Sequence, residues 1–96
     1  MADTLSYAAA SVLNAIQSGR RYGFEIMEAT GMPSGTVYPA LRKLEKGGLI
    51  EAQWEPESVA RAERRPARRY YQVTSQGEAA LTAAGQRYRF SEVAKR

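Results

Sequence analysis

Apolar residues in the first third of the chain recur at the spacing of amphipathic helices. The first helical face consists of Leu5, Ala9, Val12, Leu13 and Ile16. A hydroxyl at Thr4 or Ser6 can cap this helix, and Gly19 can end it. A second, shorter helix fits residues 22–30 and ends at Gly31. The inward face of that helix consists of Tyr22, Ile26 and Met27.

A third helix is predicted within GMPSGTVYPALRKLEKGGLI, residues 31–50, although a proline interrupts its pattern. Its apolar positions, spaced i, i+4 and i+7, are Val37, Leu41 and Leu44. Two glycines at 47–48 follow as a stop signal. Pro39 would ordinarily remove a backbone hydrogen bond. With Ser34 or Thr36 as the cap, it falls near the first turn, where amides have no partner within the helix. We therefore expect the proline to cost little.

After residue 48 the apolar period changes to two, which indicates strands. Residues 49–55 (LIEAQWE) and 68–74 (RRYYQVT) both alternate and predict an antiparallel hairpin. The face expected to pack on the helical core includes Trp54, Tyr71 and Val73. Residues 56–67 between the strands carry a proline near each end and many charges, so we expect a mobile loop.

A last helix is predicted to begin at SQGE, residues 75–78, which matches a capping box. In that motif Ser75 caps the helix and Glu78 reaches back. The apolar stripe of this helix is thin and includes Ala80, Leu81, Ala84 and Tyr88. It looks too sparse to fold back into the core and too apolar to stay bare. We therefore expect a partner helix from a second chain.

The order helix, helix, helix, strand, strand, helix predicts an α+β, mostly helical fold. We interpret residues 1–74 as a winged helix-turn-helix domain and residues 75–96 as a C-terminal dimerisation helix of the same compact unit. In a helix-turn-helix, the second helix of the pair enters the major groove and its N-terminal residues face the bases. The DNA contacts predicted on this helix are Ser34, Thr36, Tyr38, Pro39, Arg42 and Lys43.

The chemistry of these side chains suits a DNA groove. Hydroxyls can donate to phosphates or base edges, and the cations can reach phosphates or guanine. Pro39 offers a compact apolar surface that can approach a thymine methyl group. The amides at the start of the helix can hold a phosphate.

Charge strengthens this prediction. The chain of 96 residues has a net charge of +4 and a pI of about 9.7. Residues 61–69 (RAERRPARR) hold five arginines and one glutamate, which equals the whole excess. Arginine favours narrow, electronegative minor grooves. Three arginines of the loop between the strands are therefore predicted to contact DNA: Arg64, Arg65 and Arg68.

Composition excludes most catalytic chemistry. The chain has no cysteine and no histidine, so the commonest general base and the usual transition-metal ligands are missing. The acids are dispersed, and Glu25 with Glu28 alone would make a weak metal site. We expect no enzyme activity, no metal and no cofactor. The N-terminus carries an acid where a signal peptide has bases, and no apolar run is long enough to span a membrane, so we expect a cytoplasmic protein.

Three blocks of the sequence resemble the PadR family of bacterial transcriptional regulators: YGFEI at 22–26, SGTVYPALRKLEKGGLI at 34–50 and RRYYQVTSQG at 68–77. The resemblance covers roughly residues 5–82 and implies a winged-helix repressor that binds an inverted-repeat operator as a homodimer. The length of the chain fits the subgroup with a single C-terminal helix. Ser34, Thr36 and Tyr38 match the start of the family's recognition helix, and Arg65 matches a wing arginine. Arg64 stands where the family usually has glycine.

The resemblance also implies a dimer interface built from the first and last helices. In this chain it would comprise Leu5, Ala9, Val12, Leu81, Ala84 and Tyr88. A small-molecule effector between the subunits stays open. The family's drug site uses a tryptophan on the last helix and cannot be transferred, because Trp54, the single tryptophan here, lies on the first strand.

A second hypothesis is a winged-helix module that binds a protein instead of DNA. In that case the 35–46 face would contact an acidic partner, and the paired tyrosines with Trp54 would anchor the interface. The basic loop favours DNA.

Overall fold

The computed structural model describes residues 5–85 and residue 88. Within them the elements are α1 (Tyr7–Gln17), α2 (Gly23–Thr30), α3 (Ser34–Lys46), β1 (Ile50–Trp54), α4 (Glu57–Ala62), β2 (Arg69–Val73) and α5 (Ser75–Gly85). β1 and β2 form a two-stranded antiparallel sheet. The α+β, mostly helical, winged-helix prediction is therefore confirmed.

The core lies where α1, α2 and α3 meet. Val12 and Leu13 of α1, Ile26 of α2 and Val37 of α3 are each 0% exposed. The hydroxyl of Ser6 caps α1 by accepting a hydrogen bond from the Ala9 amide at 3.1 Å. The apolar faces predicted for the first three helices are thus the faces that pack together.

The wing, which we define as residues 50–73, joins the helices through its second strand. Its register pairs Ile50 with Val73 and Trp54 with Arg69. The amide of Tyr71 donates to the carbonyl oxygen of Arg21 at 2.8 Å, so the α1–α2 connection runs beside β2. Tyr71 is buried, as predicted, and fixes the wing to the helical core.

Two predictions about the wing were wrong. Trp54 does not pack on the core but is 59% exposed, since β1 is buried at its first residue, Ile50, and exposed at its last. Residues 56–67 are not simply a loop, since α4 forms within them and buries Ala60.

The last helix also differs from its prediction. Thr74, not Ser75, is the residue before α5, and its hydroxyl accepts from the Gly77 amide at 3.0 Å. The thin stripe does fold back: Ala84 is 1% exposed, and the Tyr88 hydroxyl donates to the Leu5 carbonyl at 2.9 Å. The stripe alone is therefore no argument for a partner helix.

In the part of the chain that the structure describes, no helix is both long and apolar enough to cross a membrane.

Candidate nucleic-acid interface

The start of α3 has a different geometry from the predicted one. Pro33 occupies the cap position with an extended backbone (φ −76°, ψ 164°) and gives no side-chain cap, so Ser34 is the first helical residue rather than the cap. The amides of Thr36 and Val37 both donate to the Pro33 carbonyl, at 2.9 and 3.0 Å. The first turn of α3 is therefore stabilised by backbone hydrogen bonds and not by a side-chain cap.

Pro39 consequently lies deeper in the helix than we expected. It is the sixth residue of α3, where an amide would donate to the carbonyl of Gly35. Because proline has no N–H, that bond cannot form, and Pro39 lies beyond the first turn in which we expected it. The helix nevertheless continues through it to Lys46. Pro39 is exposed on the surface of α3.

The predicted contacts on α3 all reach the surface. Ser34, Tyr38, Pro39, Arg42 and Lys43 are exposed, and Thr36 is half-buried. On the opposite side of the helix, the apolar residues Val37, Leu41 and Leu44 are at most 1% exposed. One helix thus separates an anchoring face from a polar, cationic face.

Tyr38 is held in place by a close approach to α2. Its hydroxyl end lies against Gly23, at a spot where any β-carbon on residue 23 would collide with it. The ring therefore leans toward α2 while staying 41% exposed. A glycine at the start of α2 sets the position of an aromatic ring on α3, a relation that the sequence alone did not reveal.

Arg65 does not extend into solvent at the wing tip. Its two terminal nitrogens bind both carboxylate oxygens of Glu55, at 2.6 and 2.9 Å. The Glu55 side chain is only 5% exposed, and it also accepts from the Arg68 amide at 3.1 Å. The hydrogen bond from Arg65 lowers the pKa of Glu55 to about 2. Arg65 therefore fixes the path of the wing tip.

The other wing arginines have different surroundings. Arg64 is exposed and adopts a left-handed backbone conformation, φ +57°, which explains why glycine suits this position. Arg68 is half-buried, and its guanidinium carbon lies 4.1 Å from the Tyr22 ring centroid. Arg61 pairs with Glu57 at 3.1 Å on the open surface, where such a pair contributes little.

A cleft of about 1000 Å³ separates α3 from the wing. Arg69 crosses its base, binding Glu45 of α3 at 2.8 Å while its guanidinium carbon lies 5.3 Å from the Trp54 ring centroid. Phe24, at the start of α2, lies on the rim and is 59% exposed. Sequence reasoning missed this cleft, although Phe24 falls outside the inward face of its helix and could have drawn attention.

The predicted dimer residues lie mostly inside a single chain. Ala9, Val12 and Ala84 are at most 4% exposed, and Leu5 and Leu81 are half-buried against the core. The Tyr88 ring makes an edge-on contact with Tyr7, with centroids 5.3 Å apart. Of the six predicted dimer residues, Leu5, Leu81 and Tyr88 thus keep part of their surface exposed in the single chain.

No group of three or more acidic residues that could hold a metal ion occurs among the residues that the structure describes.

Comparison with known proteins gives a family match and structural neighbours. The model of the transcriptional regulator PadR-like family matches residues 12–83. No protein with a curated description matches the sequence. A PadR family transcription regulator from hypervirulent Clostridium difficile is similar, with a TM-score of 0.74, 26% identity, 88% of this chain covered and 90% of that chain.

Two further solved structures share the fold. A transcriptional regulator from Clostridium thermocellum has a TM-score of 0.71 and 24% identity, over 84% of this chain and 79% of its own. Bordetella bronchiseptica BpsR, whose DNA binding is regulated by 6-hydroxynicotinic acid, has a TM-score of 0.70 and 22% identity, over 90% of this chain and 61% of its own.

Proposed function

The chain belongs to the PadR-like family of transcriptional regulators, and from this premise we propose that it is a repressor that binds an inverted-repeat operator as a homodimer. The family membership makes it a DNA-binding regulator. The finer proposal concerns how it binds: α3 enters the major groove, and the wing contacts the flanking minor groove.

The observation that carries this proposal is the two-sided character of α3. Its buried side anchors the helix to the core, and its exposed side holds hydroxyls, a proline and three cations. The arrangement fits direct readout near the helix start, with Tyr38 among the base-facing groups. Further along, Arg42 and Lys43 suit phosphate contacts.

The wing contributes unequally to this proposal. Arg64 is exposed, and we propose it as the wing residue that reaches the minor groove. Arg65 supports it indirectly, since its ion pair with Glu55 holds the loop that carries Arg64. We propose that Arg68, whose guanidinium group lies over the Tyr22 ring, adds a phosphate contact at the edge of the wing.

We propose a dimer because an inverted repeat has two half-sites related by two-fold symmetry, and each half-site requires its own DNA-binding domain. The exposed side of α5, which includes Ala79 and Ala83, offers small apolar residues one helical turn apart to a second chain. By analogy with BpsR, we also propose that a small molecule regulates DNA binding.

Selection of bound duplexes from random and genomic DNA tests the function. We expect enrichment of an inverted repeat whose half-sites are about 10 base pairs apart, or a multiple of that distance. Enrichment of no duplex at all would contradict DNA recognition and favour the protein-binding alternative.

Variants of α3 separate base reading from phosphate binding on the selected operator. Tyr38→Ala should lose about 1–3 kcal/mol of discrimination between operator and random duplex. Lys43→Ala should weaken binding to both duplexes alike and lower the salt slope by about 1. Gln17→Ala, exposed on α1 and outside the predicted contacts, is the control and should change neither quantity.

A further inference from the structure

Exposed aromatic surface is concentrated at the cleft between α3 and the wing. Five large apolar side chains are exposed among the described residues, and three of them line this cleft: Phe24, Tyr38 and Trp54, which are 59%, 41% and 59% exposed. Each comes from a different element, so the fold brings them together. An apolar patch of this kind usually marks a binding site.

Cationic charge is concentrated in the same place. Four arginines line the cleft, and two of them are neutralised, Arg65 by Glu55 and Arg69 by Glu45. Neither Arg42 nor Arg68 has a carboxylate oxygen of the described chain within 4 Å. Two guanidinium groups of the cleft thus form no salt bridge with a described residue and can meet an outside anion.

We propose that this cleft binds a nucleoside phosphate, with the base stacked on Trp54 and the phosphate held by Arg42 and Arg68. Arg69 lies over the Trp54 ring but leaves more than half of the side chain exposed, so the indole retains open surface for a base. Base–aromatic stacking tolerates any base, because every base has a π-face.

The chemistry of the cleft selects this ligand class. A volume of about 1000 Å³ accommodates a molecule that has both a ring system and an extended polar group. Arginine binds phosphate oxygens in pairs through its planar fork, and two unpaired guanidinium groups match a dianion better than a single carboxylate does. Arg68 can stack on Tyr22 and still present the edge of its fork.

The consequence for regulation rests on the proposed function. A ligand in the cleft would cover Tyr38 and Arg42, both of which are proposed operator contacts. Nucleotide and operator would therefore compete for the same residues. This mode of regulation needs no change at the subunit interface.

Direct binding can be measured on the full chain without DNA. Trp54 is the single tryptophan of the sequence and lines this cleft, so tryptophan fluorescence reports on the surroundings of that one residue. We expect adenosine 5′-monophosphate and guanosine 5′-monophosphate to quench it saturably, with the same affinities by isothermal titration calorimetry. Adenosine and ribose 5-phosphate should each bind at least about tenfold more weakly than the complete nucleotide.

Two neighbouring residues of α3 form a matched pair of variants. Arg42→Ala should weaken binding of adenosine 5′-monophosphate by about tenfold or more and leave the weak binding of adenosine unchanged. Lys43→Ala removes another exposed cation of α3 that does not line the cleft, and it should leave nucleotide affinity unchanged. Phe24→Ala should weaken the nucleotide and adenosine together, because it removes aromatic surface rather than charge.

Several results would overturn the proposal: no saturable binding by either method at millimolar nucleotide, adenosine as tight as its monophosphate, or 4-hydroxybenzoate as tight as the nucleotide. Tighter binding of a short oligothymidine than of the nucleotide would show that the cleft binds single-stranded DNA instead.

With the selected operator, the nucleotide should raise the apparent Kd of the protein for DNA. Binding of nucleotide and operator at the same time would overturn the competition. If no operator is found, the fluorescence result still decides the nucleotide site separately from the proposed function.

Discussion

The arginines of the wing tip are close in sequence but differ in what surrounds their guanidinium groups. Arg65 is bound to a buried carboxylate, Arg68 lies on a tyrosine ring, and Arg64 is exposed. The composition of this segment predicts a basic surface but does not distinguish one arginine from another. Burial and pairing distinguish the residues that shape the wing from those that can meet DNA.

At position 64 we expect arginine to favour operator binding but to lower the free energy of unfolding. A left-handed backbone costs an L-residue about 1 kcal/mol, so Arg64→Gly should raise the free energy of unfolding by roughly that amount in urea denaturation. The same variant should weaken operator binding and lower its salt slope. Arg64→Ala loses the charge but keeps the strain, so a gain in stability for both variants would show that backbone strain is not the cause.

The ionisation of Glu55 makes the free energy of unfolding depend on pH. Its pKa falls from the ordinary 4.5 to about 2, chiefly through the hydrogen bond from Arg65. Because the folded pKa is below the unfolded one, the carboxylate stabilises the fold above about pH 4.5 and loses that contribution as the pH falls toward 2. Glu55→Gln should therefore be less stable than wild type at pH 7, and the difference should shrink below pH 4.5.

Unfolding curves across pH, followed by circular dichroism, check this expectation. Glu57→Gln is the control, since this carboxylate is exposed and its pair with Arg61 lies on the surface, so the substitution should barely change stability. A difference between Glu55→Gln and wild type that stays constant down to pH 2 would assign the effect to packing instead of ionisation.

At the scale of elements, the apolar periodicity predicted which segments form helices and strands better than it predicted what those elements pack against. The spacing of apolar residues located three helices and two strands, because burial on one side imposes that spacing. Alternation placed Trp54 on the same strand face as Ile50, but it carries no information about where the core ends. The burial along β1 falls from Ile50 to Trp54, and only the structure shows that the last residue of the strand lines a cleft instead of the core.

The sequence did not predict α4 or the correct first residues of α3 and α5, and each error has a physical cause. Residues 56–67 look like a charged loop because the contact that orders them, Glu55 with Arg65, joins residues ten apart and leaves no periodic trace. At α3 and α5 the true caps, Pro33 and Thr74, lie one residue before Ser34 and Ser75, which are equally plausible from sequence. That single-residue shift is why the position of Pro39 in its helix was misjudged.

The packing of α5 depends on Gly77. A β-carbon there would collide with the carbonyl oxygen of Leu49 and a methyl group of Val73, and the backbone atom cannot move aside cheaply. Gly77→Ala should lower the free energy of unfolding by about 1–3 kcal/mol. Gly85→Ala in the same helix meets nothing within 4 Å and should be neutral or slightly stabilising. Equal effects of the two variants in urea denaturation would contradict the close approach.

At the scale of the whole molecule, the described chain buries much of the apolar surface of α1 and α5, while residues 86–96 of the predicted last helix, apart from Tyr88, lie outside the described residues. We therefore propose that a homodimer joins two prefolded chains and that small exposed residues of α5 take part in the contact. Such interfaces are sensitive to an inserted charge and leave the folded subunit intact.

Two adjacent residues of α5 distinguish association from folding. Ala83 is exposed and Ala84 is 1% exposed. Ala83→Glu should shift the protein from dimer to monomer in sedimentation equilibrium with an unchanged circular dichroism spectrum, whereas Ala84→Glu should lose the folded spectrum. A wild-type chain that sediments as a monomer at every concentration would contradict the dimer.

The hydrogen bond between Tyr88 and Leu5 has a kinetic consequence. It joins residues 83 apart, far more than the contacts that build the wing tip. Closing so long a segment costs the most chain entropy, so we expect this contact to form late in folding and open early under native conditions. Amide exchange at the start of α1 and the end of α5 should then be correlated, and anything that clamps these two elements together would slow both.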